Sequence, residues 1–253
     1  MSAPTPASGL VAVPAAIAAD VAAWASALRT ATGTAFRALY VHGSALGPHF
    51  DPTTSDVNLL LLVTELPFEC LAALADAVRR TTTAVQRRVS PLVLTERQVF
   101  ASLDVFPAEF LDLASRRALV DGEDVLAGVV VGRDNLRHQC EYELRSKLVG
   151  MRQAYLLAGG ASGLSQRVLS QAAGGLSAVM RHLLGLRGEP VPDGSAALVE
   201  AIARAFAVDA AGLGAPFAAR RAPLSEDEAR ALFARHLAAL EALTSAVDAF
   251  PAA

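Results

Sequence analysis

The sequence has 253 residues, of which 53% are hydrophobic and 19% are charged, and its formal net charge at pH 7 is −3. This composition is typical of a globular protein with a sizeable core, and the weak charge argues against an extended nucleic-acid surface. No apolar run approaches the ~20 residues of a membrane-spanning helix, and the first 19 residues contain no Lys or Arg with which a signal peptide could begin. We therefore expect a cytoplasmic protein that does not enter a membrane.

The first half of the chain alternates predicted helices and strands. Residues 1–12, rich in Ala, Pro and Ser, are typical of a flexible leader. Apolar residues at helical spacing predict a helix over 14–30. Two apolar strands follow, over 35–42 and 57–63, and the loop between them is rich in turn-forming residues.

The same alternation continues toward the middle of the sequence. We predict a helix over 67–80, a strand over 89–94 and a short helix over 95–103 that begins at an N-capping threonine. A further strand is predicted over 108–113, with residues 118–121 pairing beside it. This order of elements indicates a mixed sheet with flanking helices.

Strand-like runs are absent from the sequence after the middle of the chain. Helical spacing of apolar residues instead predicts four helices, over 134–157, 164–186, 195–207 and 225–248. The fold class is therefore α+β, with a mixed-sheet domain over 13–130 and an all-α helical bundle over 131–253.

The end of the first strand and the start of the second carry the polar residues of most interest. Gly43 allows a sharp turn and close approach of a ligand, and Ser44 can offer its hydroxyl and its N–H to a phosphate oxygen. Asp56 and Asn58 alternate along the second strand, so both face one side, where their oxygens could hold a divalent cation. The alternative is an ordinary turn and a loop closed by local hydrogen bonds.

Two acidic residues lie in the strand predicted over 108–113. Glu109 and Asp112 are three residues apart, so they face opposite sides of a sheet and only one could join Asp56. Asp112 is flanked by apolar residues, which favours an acid that projects from a buried strand into a cleft. Glu109 remains the alternative.

Taken together, these residues resemble the nucleotidyltransferase superfamily that includes DNA polymerase beta and the aminoglycoside nucleotidyltransferases. The shared pattern is an apolar strand, Gly-Ser, about ten residues, Asp-apolar-Asp or Glu, and a third acid on a later strand. Here it reads Gly43-Ser44, then Asp56-Val-Asn58, and later Asp112. The downstream helical region is similar to the bundle that small members pack against the catalytic fold.

The resemblance implies transfer of a nucleoside monophosphate from an NTP, bound with Mg²⁺, to a hydroxyl group of a small-molecule acceptor. By position, Gly43 and Ser44 would bind the triphosphate. Asp56, Asn58 and Asp112 would bind the metal, and Asp56 and Asp112 would be the catalytic acids. The identity of the NTP and of the acceptor stays open, as does a homodimer.

Asn58 stands where the family pattern has a second acid. An amide oxygen can bind a hard cation but carries no charge. A unit charge at ~4 Å is worth roughly 4 kcal/mol at an effective dielectric constant of 20, so the amide weakens a metal site strongly. Two interpretations follow: a transferase with reduced or one-metal chemistry, or a catalytically degenerate protein that binds nucleotide or regulates a partner.

Lys147 is the only lysine of the sequence and borders the apolar stripe of the helix predicted over 134–157. If that stripe packs toward the nucleotide, Lys147 or Arg145 could neutralise the triphosphate, as a basic helix residue does in similar enzymes. The alternative is an ion pair with Glu143 on a solvated helix face.

Overall fold

The computed structural model describes most of the chain, in five segments: residues 10–47, 50–52, 55–85, 88–158 and 162–251. The contacts within it divide the chain into two compact units, one over 2–132 and the other over 133–253. Among the described residues, no helix is long and apolar enough to cross a membrane.

A mixed sheet lies at the centre of the first unit. Its strands, within the described residues, are β1 (Phe36–His42), β2 (Val57–Val63), β3 (Val89–Thr95) and β4 (Arg117–Gly122). They are ordered β3–β2–β1–β4. β1 runs antiparallel to both β2 and β4, whereas β2 and β3 are parallel. The predicted mixed sheet is confirmed.

Helices flank this sheet; the sequence predicts the first three, and the fourth replaces a predicted strand. They are α1 (Ala18–Thr32), α2 (Phe68–Val85), α3 (Glu96–Ala101) and α4 (Pro107–Ser115). α1 buries Val21, Trp24 and Leu28 in the same core as inward side chains of β1 and β2. Burying a large apolar side chain is worth about 1.5–3 kcal/mol, so this layer is a major source of stability.

The strand predicted over 108–113 is wrong, because these residues lie in α4. Pro107 occupies the first turn, where its fixed φ favours a helix. Phe110, Leu113 and Ala114 recur at helical spacing and are buried, whereas Asp112 is exposed. β4 consequently pairs with β1 and not with this segment.

All the regular secondary structure in the described residues of the second unit is helical, and the predicted all-α region is confirmed. Its helices are α5 (Arg133–Leu157), α6 (Ser162–Ala172), α7 (Leu176–Leu186), α8 (Ser195–Phe206), α9 (Ala210–Ala219) and α10 (Glu226–Asp248). The single helix predicted over 164–186 is wrong, because the chain breaks at Gly174 and Gly175, and Gly175 has a φ of +69°. α9 had no counterpart in the prediction.

The contact between α9 and α10 is close. A Cβ atom on Gly212 would lie 2.8 Å from the carbonyl oxygen of Arg235, so only glycine allows this approach. His236 is 1% exposed, and its Nδ1 lies 2.8 Å from the carbonyl oxygen of Gly212. Burial lowers the pKa of His236 below its ordinary value, with the Gly212 contact opposing that shift in part.

Candidate functional site

The chain turns sharply where β1 ends at His42. Residues Gly43–Leu46 form a single 3₁₀ turn, and Gly43 has a φ of +70°, a conformation that side chains disfavour. Ala45 and Leu46 are buried and anchor the turn, whereas Gly43 and Ser44 are exposed. The two residues with a predicted phosphate-binding role therefore lie at an accessible turn.

Asn58 lies directly beside this turn. Antiparallel pairing places it opposite His42, the residue before Gly43. A Cβ atom on Gly43 would lie 2.9 Å from Asn58 Nδ2, closer than real Cβ contacts allow. Glycine is thus favoured here by its backbone conformation, and any larger residue would also have to move the end of the Asn58 side chain.

Asp56 precedes β2 and makes an ion pair with Arg88. Arg88 Nε lies 2.9 Å from Asp56 Oδ1, and the two side chains are 77% and 45% exposed. Asp56 Oδ1 accepts no aligned hydrogen bond from the described residues, so the contact is electrostatic in character. The acid with a predicted metal-binding role therefore already faces a cation.

The pairing of β2 with β3 explains this partnership. In the parallel ladder Asn58 lies opposite Ser90, and the N–H of Val57 donates to the carbonyl oxygen of Arg88 at 3.1 Å. Residues in register on neighbouring strands present their side chains to the same face. Arg88 therefore stands beside Asp56, and Ser90 beside Asn58.

Comparison with known proteins identifies the fold. No family model matches the sequence, and no curated protein matches it. Among solved structures, the chain is similar to spectinomycin adenyltransferase AAD(9) from Enterococcus faecialis, whose crystal structure was determined with ATP and spectinomycin. The TM-score is 0.54 at 11% identity, and the match covers 91% of this chain and 98% of that chain. The chain has the nucleotidyltransferase fold.

The acids of this nucleotidyltransferase fold do not converge as the sequence pattern implies. β3, the strand beside Asp56 and Asn58, reads Val-Ser-Pro-Leu-Val-Leu-Thr and contains no carboxylate. Asp112 and Glu109 both lie on α4, so the prediction that one of them projects from a strand is wrong. The role of Asp112 as the third acid was predicted from its place on a strand, and that support no longer holds.

The residues present do not fit a site for two Mg²⁺ ions. Mg²⁺ is bound in proteins by carboxylates together with phosphate oxygens and water. Where β2 and β3 begin, the polar side chains of the described residues are one carboxylate, one amide, one hydroxyl and one guanidinium: Asp56, Asn58, Ser90 and Arg88. Within the described residues, no group of three or more His, Cys, Asp or Glu side chains could hold a metal ion.

Sequence reasoning missed Arg88. The residue precedes the strand predicted over 89–94, just as Asp56 precedes its own strand, and that parallel was the available signal. Only the non-local register of β2 and β3 brings the two together. Half-buried His42 was also not proposed; it lies between Asn58 and Arg117 in the sheet, and burial lowers its pKa.

Lys147 lies in the second unit, on α5. Its Nζ donates a hydrogen bond of 2.6 Å to the carbonyl oxygen of Gly174, at the break between α6 and α7. The alternative ion pair with Glu143 is not formed among the described residues. Lys147 thus has a structural partner in the bundle, and its contact with a triphosphate stays a prediction.

Proposed function

We propose that this protein binds a nucleoside triphosphate through the turn Gly43–Leu46 and does not carry out two-metal nucleotidyl transfer. The fold supports the nucleotide part, because the similar adenyltransferase was crystallised with ATP. The observation that carries the proposal is the ion pair of Asp56 with Arg88, beside the uncharged Asn58. It occupies the place where the family pattern requires paired acids.

Electrostatics argues against two-metal chemistry at this position. Two divalent ions bridging a triphosphate need several negative ligands, and among the described residues of β2 and β3 and the residue before each strand, Asp56 is the only acid. The guanidinium of Arg88 compensates that charge at 2.9 Å. The net charge of these side chains is therefore zero, which provides little electrostatic attraction for a divalent cation. They are Asp56, Asn58, Arg88 and Ser90.

The groups of the family pattern that would contact phosphate are present in this chain. Gly43 keeps the left-handed turn, and Ser44 is exposed beside it with a hydroxyl that can donate to a phosphate oxygen. The amide of Asn58 adjoins Gly43 and can also donate to an anion. These groups suit the recognition of phosphate oxygens more than the binding of a metal.

Two measurements on the full chain test the proposal. Calorimetric titration with ATP, GTP, CTP and UTP should show saturable binding of at least one of them, weakened at least tenfold by Gly43→Val. Incubation with the same nucleotides labelled at the α-phosphate should leave the label in the nucleotide, with spectinomycin supplied as a probe acceptor. Absence of binding by all four nucleotides overturns the proposal, as does transfer of label.

A second candidate is an active transferase with a small-molecule acceptor. The similarity to an adenyltransferase solved with both ATP and spectinomycin favours it. It predicts Mg²⁺-dependent transfer of label that Asp56→Ala abolishes and that Asp112→Ala leaves intact, because Asp112 lies on α4. Titration of Lys147→Gln with ATP tests the contact of Lys147 with the triphosphate, and cell fractionation tests a cytoplasmic location.

A further inference from the structure

We infer that the nucleotide site of this protein works without a divalent metal, and that the guanidinium of Arg88 bridges Asp56 and the phosphates in its place. The inference rests on the proposed binding of a nucleoside triphosphate. It names Arg88 as a source of positive charge beside the negatively charged triphosphate.

The geometry places Arg88 where a bridging cation must stand. The parallel ladder holds the backbones of residues 56 and 88 side by side, through the hydrogen bond of 3.1 Å from Val57 to Arg88. Across this rung the Nε of Arg88 lies 2.9 Å from Asp56 Oδ1. A metal ion in such a site binds the carboxylate on one side and phosphate on the other, and Arg88 already makes the first of these contacts.

The chemistry of guanidinium suits the second contact. Arg carries five N–H donors in a planar fork that matches phosphate oxygens in a bidentate manner, and at Arg88 it is Nε that lies nearest Asp56. The Arg88 side chain is 77% exposed, so a ligand can reach it. Asp56 acts in this arrangement as a positioning residue, because it orients the guanidinium and does not itself touch the phosphate.

The same contacts disfavour a metal. An ion at Asp56 would have to displace the guanidinium and would gain only the neutral oxygens of Asn58 and Ser90 as further side-chain ligands on these strands. The replacement of a second acid by an amide and the presence of Arg88 therefore act in the same direction. Both changes remove net negative charge from this place, which weakens the attraction for a cation and lowers the repulsion of phosphate.

Calorimetric titration with ATP, in EDTA and in MgCl₂, tests the inference on the full chain. We expect the Kd in EDTA to lie within threefold of that in MgCl₂. Arg88→Gln should weaken binding in EDTA at least tenfold, and Arg88→Lys should weaken it less. Arg79→Gln is the matched control, since Arg79 is an exposed arginine paired with an aspartate, Asp76, at 2.6 Å on α2; its Kd should be unchanged.

A double variant tests the inference through a gain of metal dependence, so the test does not rely on a loss of affinity alone. In Asn58→Asp combined with Arg88→Gln, we expect ATP binding that EDTA weakens at least tenfold, with circular dichroism confirming the fold. ATP binding by the wild-type protein that requires Mg²⁺, or that Arg88→Gln leaves unchanged in EDTA, overturns the inference while the proposed nucleotide binding stands. Absence of ATP binding under both conditions overturns the proposed function itself, and the inference with it.

Discussion

Asn58 occupies the space that a side chain on Gly43 would need: its Nδ2 lies 2.9 Å from the position of a Cβ atom there. The turn after β1 therefore packs closely against the side chain of Asn58 at the start of β2. Because Gly43 also has a φ of +70°, two separate costs arise when it is replaced. They can be separated experimentally.

We predict that Gly43→Ala destabilises the protein by about 2–3 kcal/mol. A left-handed backbone costs an L-residue about 1–2 kcal/mol, and displacing the amide of Asn58 adds to it. Gly188→Ala is the control for backbone strain, because Gly188 has a φ of +69° and, its chain neighbours apart, no atom lies within 4 Å of its Cβ position. Urea unfolding should show the larger loss for Gly43→Ala; equal losses would mean that the amide moves aside freely.

Asn58→Asp should restore part of a metal site. A carboxylate beside Asp56 adds a negative ligand, and the resulting attraction should raise Mn²⁺ affinity at least tenfold over the wild-type protein. Asn135→Asp makes the same change in net charge at the first turn of α5 and serves as the control. Electron paramagnetic resonance of bound Mn²⁺ measures both, and equal affinities in the two variants would show that position 58 does not face the ion.

The bounds of β1, β2, β3 and β4 could be predicted closely from the sequence. β2 begins and ends at the predicted residues 57 and 63, since it is a continuous apolar run between polar residues. Thr95 caps the short helix after β3 as expected, and its side chain accepts from the N–H of Gln98. Such signals depend only on residues that are close in sequence, so they can be recognised without knowledge of the fold.

The errors have equally physical origins. Residues 108–113 mix acids and apolar residues over so short a span that strand and helix spacing cannot be separated, and Pro107 was the overlooked helix signal. α9 contains Pro216 and two glycines, so its composition disfavours a helix that packing against α10 sustains. The ion pair of Arg88 with Asp56 depends on sheet register, which no local pattern encodes.

Arg117 and Asp124 form a buried ion pair whose loss should strongly destabilise the fold. The Arg117 side chain is 4% exposed and donates to Asp124 at 2.9 Å from Nε and 2.6 Å from Nη2. Asp124 also accepts from the hydroxyl of Tyr40, whose pKa burial raises to about 12. Removing one partner of a buried pair leaves an uncompensated charge.

We therefore predict that Asp124→Ala destabilises the first unit by about 3–5 kcal/mol, the usual cost of breaking a buried pair. Asp76→Ala removes an aspartate that is paired with Arg79 and Arg80 on the surface of α2, and it should change stability little. Chemical unfolding followed by circular dichroism compares the two variants. Similar midpoints for both would contradict a structural role for the buried pair.

Protonation of His236 should destabilise the protein in mild acid. Its pKa is lowered in the folded state, chiefly by burial, so the unfolded chain binds the proton more readily. By linkage, its contribution is fully present above the unfolded pKa of about 6.5 and is lost progressively as the pH falls below that value. We expect the free energy of unfolding to decrease between pH 7 and pH 5.

The variant His236→Gln isolates this effect, because an amide can still donate to the carbonyl oxygen of Gly212 but does not titrate. It should lower the stability at pH 7 and flatten the decrease toward pH 5. His138→Gln, at an exposed position of α5, is the control and should keep the wild-type slope. Urea titrations at half-unit pH intervals measure the slopes. An unchanged slope in His236→Gln would assign the acid sensitivity to other groups, of which half-buried His42, whose pKa is also lowered by burial, is the first to replace.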